Sequence, residues 1–186
     1  MAIDPEMLGR VFENLLASVN PETQESARKE KGAFYTPRSI VSYMNKIVLI
    51  EHIVEKLSNE KDRQGVELLI EMNDAAFIER KSTGGADLWG NRSETVSKNI
   101  IKILDEVKIL DPAVGSGAFP IGMMQLMVQT YQRLNSIYDP TLGGHRLIKN
   151  NEKFNAYQTK LAIAQNNLYG VDIEPMAIEL SRLRTW

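Results

Sequence analysis

The sequence predicts a helix-rich α/β protein, with a helical N-terminal region over 1–106 and the opening of a parallel sheet over 107–186. Three observations predict it. Apolar residues recur at helical spacing through most of the first hundred positions. The pattern then changes at Val107-Lys108-Ile109-Leu110, a short apolar run that ends in Asp111-Pro112. A glycine-rich turn, a long helical stretch and a second short run, Leu168-Tyr169-Gly170-Val171-Asp172, follow. Strand, glycine turn, helix, strand is how a parallel sheet begins.

At 186 residues and 43% hydrophobic, the chain can bury one respectable core. Charged residues make up 25% and the formal net charge is −2, which argues against an autonomous nucleic-acid-binding module. A DNA enzyme whose basic surface lies elsewhere in a longer chain remains open. With no cysteine, and with His52 and His145 in unrelated segments, neither a disulfide framework nor a metal site is expected. No charged-then-apolar leader opens the chain, and no apolar run approaches the roughly 18 residues of a membrane span. The expectation is a soluble, cytoplasmic protein with no membrane partner.

In chain order, Met7–Leu16 sets Leu8, Val11, Phe12, Leu15 and Leu16 on one helical face. Arg28-Lys29-Glu30-Lys31 reads as a solvated charge run. Pro37 suits the first turn of a helix, and Thr36 sits where an N-cap oxygen is useful. A long helix is predicted over about 38–57, with Ile40, Val41, Met44, Ile47, Val48, Ile50 and Ile53 mostly inward. Leu68, Leu69, Met72, Ala76 and Phe77 follow helical spacing, as do Ile100, Ile101, Leu104 and Val107. Thr83-Gly84-Gly85 and Trp89-Gly90-Asn91 punctuate them, with Trp89 a packing residue. After the glycine turn, Ile121, Met124, Met127, Val128, Tyr131 and Leu134 share a helical face, with Met123, Met124 and Met127 as core filler. A polar loop with Asp139-Pro140 and Gly143-Gly144 leads to a helix over about 151–165, and Pro175 opens the last one.

The chemistry gathers at Asp111-Pro112-Ala113-Val114-Gly115-Ser116-Gly117-Ala118-Phe119. A glycine turn at a strand end lets a ligand approach the backbone without Cβ collisions. The helix N-terminus behind it offers free amides with partial positive charge, suited to a carboxylate or phosphate. Asp111 is placed to receive an ammonium group. An acid beside an anion-binding turn suits an amino-acid zwitterion better than a pyrophosphate, which it would repel. Asp172, ending the second strand, can accept hydrogen bonds from vicinal ribose hydroxyls, and Ile173 can wall an adenine ring. Two departures count against a dehydrogenase. Pro120 stands where the third glycine of G-x-G-x-x-G belongs, and 55 residues separate Gly117 from Asp172 where about 20 are usual.

Gly32-Ala-Phe-Tyr-Thr-Pro37, Asp111-Pro-Ala-Val-Gly-Ser-Gly-Ala-Phe119 and Tyr169-Gly-Val-Asp-Ile-Glu-Pro175, in this order, resemble N6-adenine DNA methyltransferases. The likeness is to the methylase regions of type II restriction-modification enzymes, including the fused type IIS/IIG kind, and is weakest over 58–100. It implies a Rossmann-like fold binding S-adenosylmethionine, with duplex DNA as partner and substrate. On that resemblance Tyr35, Thr36 and Pro37 close over the methionine carboxylate, with Thr36 as donor. Asp111, Ala113, Gly115 and Gly117 match the motif that holds the amino-acid end. Asp172 matches the ribose-binding acid and Ile173 the adenine contact. Val114 departs from the family, which usually has cysteine there.

The family's catalytic Asn-Pro-Pro-aromatic segment has no match: Asn20-Pro21 is followed by Glu22 and precedes the cofactor motifs. The expectation is a truncated, catalytically inactive cofactor scaffold, with no catalytic residue in this chain. A methyltransferase acting on RNA or protein, and a non-catalytic specificity or assembly domain, stay open as alternatives.

Overall fold

A computed structural model describes residues 36–82, 88–137 and 154–185. The expected helix at Met7–Leu16, the run Arg28–Lys31, Tyr35, His145 and the loops at Thr83–Gly85, Asp139-Pro140 and Gly143-Gly144 lie outside them.

The first described helix, α1 (Arg38–Leu57), has Pro37 in the capping position, and the Pro37 carbonyl accepts the N–H groups of Ile40 and Val41. No side-chain cap bond closes this end, so the plain N-cap role open to Thr36 is not taken. Ser58, in the left-handed region, terminates α1. The expected inward set needs correction. Val41, Ile50 and Ile53 are buried, but Ile40, Met44, Ile47 and Val48 are exposed. The helix is apolar on two sides: the one with Ile40, Met44, Ile47 and Val48 faces outward, and the one with Val41, Asn45, Leu49, Ile50, Ile53 and Val54 meets the core.

A short 3₁₀ turn (Glu60–Asp62) leads to α2 (Arg63–Glu71). The apolar spacing across 68–77 runs over two helices, because Met72 is extended and Asn73 restarts the chain as α3 (Asp74–Ser82), its side chain accepting the Ala76 N–H at 2.8 Å. Trp89 is buried and its Nε1–H donates to the Asp62 carbonyl at 3.3 Å, a packing role. The Asp62 carboxylate, itself buried, pairs with Arg92 at 2.5 Å. On the surface, a hydrogen bond from Arg63 holds the Glu51 carboxyl below its ordinary range; such an exposed pair contributes little.

After a second 3₁₀ turn (Gly90–Arg92), α4 (Ser93–Glu106) buries Ile100, Ile101 and Leu104 and delivers the chain to β1 (Ile109–Asp111). The 20-residue α5 (Ala118–Ile137) is buried beyond the expected face: Pro120, Leu126, Thr130 and Arg133 join the predicted residues inside. It is wrapped on several sides, packing against α1, α2, α4, both strands and the later helices. Met123, Met124 and Met127 are core residues. Next, α6 (Ala156–Asn166) starts at Asn155, whose side chain accepts the N–H groups of Tyr157 and Gln158. Then come β2 (Leu168–Gly170) and α7 (Pro175–Thr185).

The strands are adjacent and parallel, with Ile109 opposite Leu168 and Asp111 opposite Gly170. Ile109 and Leu168 pack into the core beneath α5 and α6, whereas their neighbours Leu110 and Tyr169 point to the other, exposed face. One hydrophobic cluster runs from α1, α2 and α4 through α5 to Ile163 of α6. Among the described residues, no helix is long and apolar enough to cross a membrane.

Candidate functional site

The carboxyl ends of β1 and β2 are laced together by main-chain bonds beyond the strand ladder. The Val171 N–H donates to the Asp111 carbonyl and the Val114 N–H to the Val171 carbonyl, each at 2.9 Å. These bonds fold the glycine turn over the end of β2. Gly115 and Gly117 take positive φ of 51° and 86°, a conformation costly for a side-chain-bearing residue. A Cβ on Gly115 would meet nothing within 4 Å, so this face of the turn is open to a ligand.

The two predicted acids converge on this turn. Asp172 Oδ2 accepts the Gly115 N–H at 2.8 Å and Oδ1 accepts the Glu174 N–H at 2.9 Å. Asp111 Oδ1 accepts the Ala113 N–H at 3.0 Å, whereas its Oδ2 is shut from water and has no hydrogen-bond donor among the described residues. A carboxylate oxygen left without a donor costs free energy that an incoming ammonium group recovers. An ammonium donor would satisfy that orphaned acceptor. Ile173 is 98% exposed, a bare apolar side chain beside Asp172.

Asp111, Ala113, Gly115, Gly117 and Asp172 therefore form one cluster. Thr36 is not brought into contact with that cluster: it lines, with Ala118, a cavity of about 440 Å³ between α1, α2 and α5, and Pro37 caps α1. Neither Asp111 nor Asp172 lines that cavity. Sequence reasoning missed the residues that brace the turn from behind. Arg184 Nη1 donates to the Ser116 carbonyl at 2.7 Å and to Ser116 Oγ at 2.9 Å. Ser181 lies so close to Gly117 that a Cβ there would come within 2.6 Å of its Oγ. Among the described residues, no group of His, Asp or Glu is arranged to hold a metal.

Fold and site together define a class: a helix-rich α/β protein with a two-stranded parallel sheet, whose glycine turn is flanked by an acid from each strand end. The chain is similar, at 31% identity across 99% of its length, to a protein of Methanocaldococcus jannaschii named "Putative type II restriction enzyme and methyltransferase". The chain spans 14% of that relative's length. No protein-family profile and no solved structure matches the chain.

Proposed function

We propose that these residues are the N-terminal cofactor-holding part of an S-adenosylmethionine-dependent DNA adenine-N6 methyltransferase of a restriction-modification system. The observation that carries the reading is the convergence of Asp111 and Asp172 on one glycine turn, with one Asp111 oxygen lacking a donor. The name of the M. jannaschii relative, similar along the whole chain, supports it.

When bound, S-adenosylmethionine supplies an electrophilic methyl group. The chain's own residues bind and orient it. Asp111 would accept from the ammonium group, and the start of α5 and Thr36 would hold the methionine carboxylate. Asp172 holds the glycine turn through Gly115 and would accept from a ribose hydroxyl with its remaining lone pairs. Ile173 would wall the adenine ring. Duplex DNA is the substrate, engaged by regions outside these 186 residues, and the setting is cytoplasmic.

Calorimetric titration tests the reading: S-adenosylhomocysteine binds and a nicotinamide dinucleotide does not. Binding of the dinucleotide instead would return the site to the dehydrogenase class. The 186 residues alone, incubated with methyl-labelled cofactor and mixed duplex DNA, transfer no label above background; incorporation would place catalytic residues within them.

A further inference from the structure

Thr36 and Ala118 belong to distant parts of the sequence, yet both line one cavity beside the crossing of α1 and α5. That crossing is tight at one point. A Cβ on Gly122 would come 2.8 Å from Asn45 Nδ2 and 3.0 Å from Val41 Cγ1. Asn45, 6% exposed, donates from Nδ2 to the Phe119 carbonyl at 3.1 Å, across 74 residues of sequence. Asparagine in a helix interior is a poor helix former, and a buried amide without a partner is costly. The Phe119 bond offsets that cost. A leucine at position 45 would fill the core as well, but only a directional bond fixes one register between the helices. The cavity beside this crossing is lined by Thr36, Val41, Asn45, Ala118 and Gly122 together.

We infer that Asn45 and Gly122 are positioning residues: a polar clamp in a close helix crossing that sets where the Thr36 end of α1 lies relative to the start of α5, so that cofactor affinity depends on how these two helices meet. The cofactor half rests on the function proposed above; the geometric half does not.

The chain has no cysteine, so Thr36→Cys with Ala118→Cys gives a unique pair for a short bis-maleimide. Cross-linking is efficient with Asn45 and Gly122 intact and drops severalfold with Asn45→Ala or Gly122→Ala. Adding Val41→Ala to Gly122→Ala restores part of it by making room for the new methyl. In the cysteine-free chain, each single change weakens S-adenosylhomocysteine roughly threefold to tenfold, the worth of one buried hydrogen bond. Thr36→Ala combined with Asn45→Ala weakens it by less than the product of the two, because Asn45 acts through Thr36. Thermal melts identify variants that do not fold, and Asn45→Ser then serves as the milder change. Unaltered cross-linking in folded variants, or strictly multiplicative losses with Thr36→Ala, overturns the clamp. Altered cross-linking in a chain that does not bind S-adenosylhomocysteine at all overturns the proposed function and keeps the geometric half.

Discussion

The Asp172 carboxylate already accepts two main-chain N–H groups, and each of its oxygens keeps a lone pair for a second donor. Bracing the glycine turn is therefore compatible with the ribose-binding task proposed for it. Asp172→Ala removes charge-assisted bonds worth about 1.5–3 kcal/mol each, a weakening of S-adenosylhomocysteine of roughly tenfold to hundredfold by calorimetry. Asp172→Asn weakens it less, because the amide retains one acceptor oxygen. A folded Asp172→Ala protein that binds as tightly as wild type would make this acid a surface group. Asp111 and Asp172 were legible in the sequence because an acid closing a short apolar run beside glycines is local chemistry. Asn45 was not. A lone asparagine in an apolar helix reads as surface, and its partner, the Phe119 carbonyl, is 74 residues away.

At the scale of elements, Asn167 holds the sheet to the helices. It is fully buried, and its Nδ2 donates to the carbonyls of Leu104 at 2.9 Å and Val107 at 2.8 Å. Its own carbonyl accepts the Ile109 N–H at 2.8 Å, so one residue joins the end of α4, the entry to β1 and the entry to β2. Asn167→Ala takes the donor from two carbonyls, at about 1–3 kcal/mol for each buried group left unsatisfied, and removes the unpartnered Asn167 Oδ1, so that stability falls by roughly 2–4 kcal/mol. Chemical denaturation measures this, and a loss below about 1 kcal/mol would mean that water replaces the amide. The strands and the glycine turn were predicted where they occur, because a change of hydrophobic period is visible within a few residues. The inward face of α1 was not. Helical spacing says which residues share a stripe, but with two apolar stripes on one helix the choice between them is made by α5. Similarly, the break between α2 and α3 was written in Asn73-Asp74, a helix-start signal that the continuous apolar spacing obscured.

At the scale of the whole molecule, the helices of the first region and the strands share one core. The cluster from Leu49 through Leu104 and Met127 to Ile163 fixes α5, which packs against both strands and follows the glycine turn. The order of the three motifs suggested the cofactor class proposed here. Whether they meet in space depends on which helix faces pack, which the sequence does not show. Nuclear magnetic resonance mapping of an S-adenosylhomocysteine titration tests that meeting most directly. The account predicts that amide shifts concentrate at Thr36, at Asp111–Gly117 and at Val171–Ile173, with little change at the outer turns of α3. Shifts confined to the groove around Tyr157, Leu161 and Ile178, between α6 and α7, or an absence of shifts at saturating ligand, would contradict it.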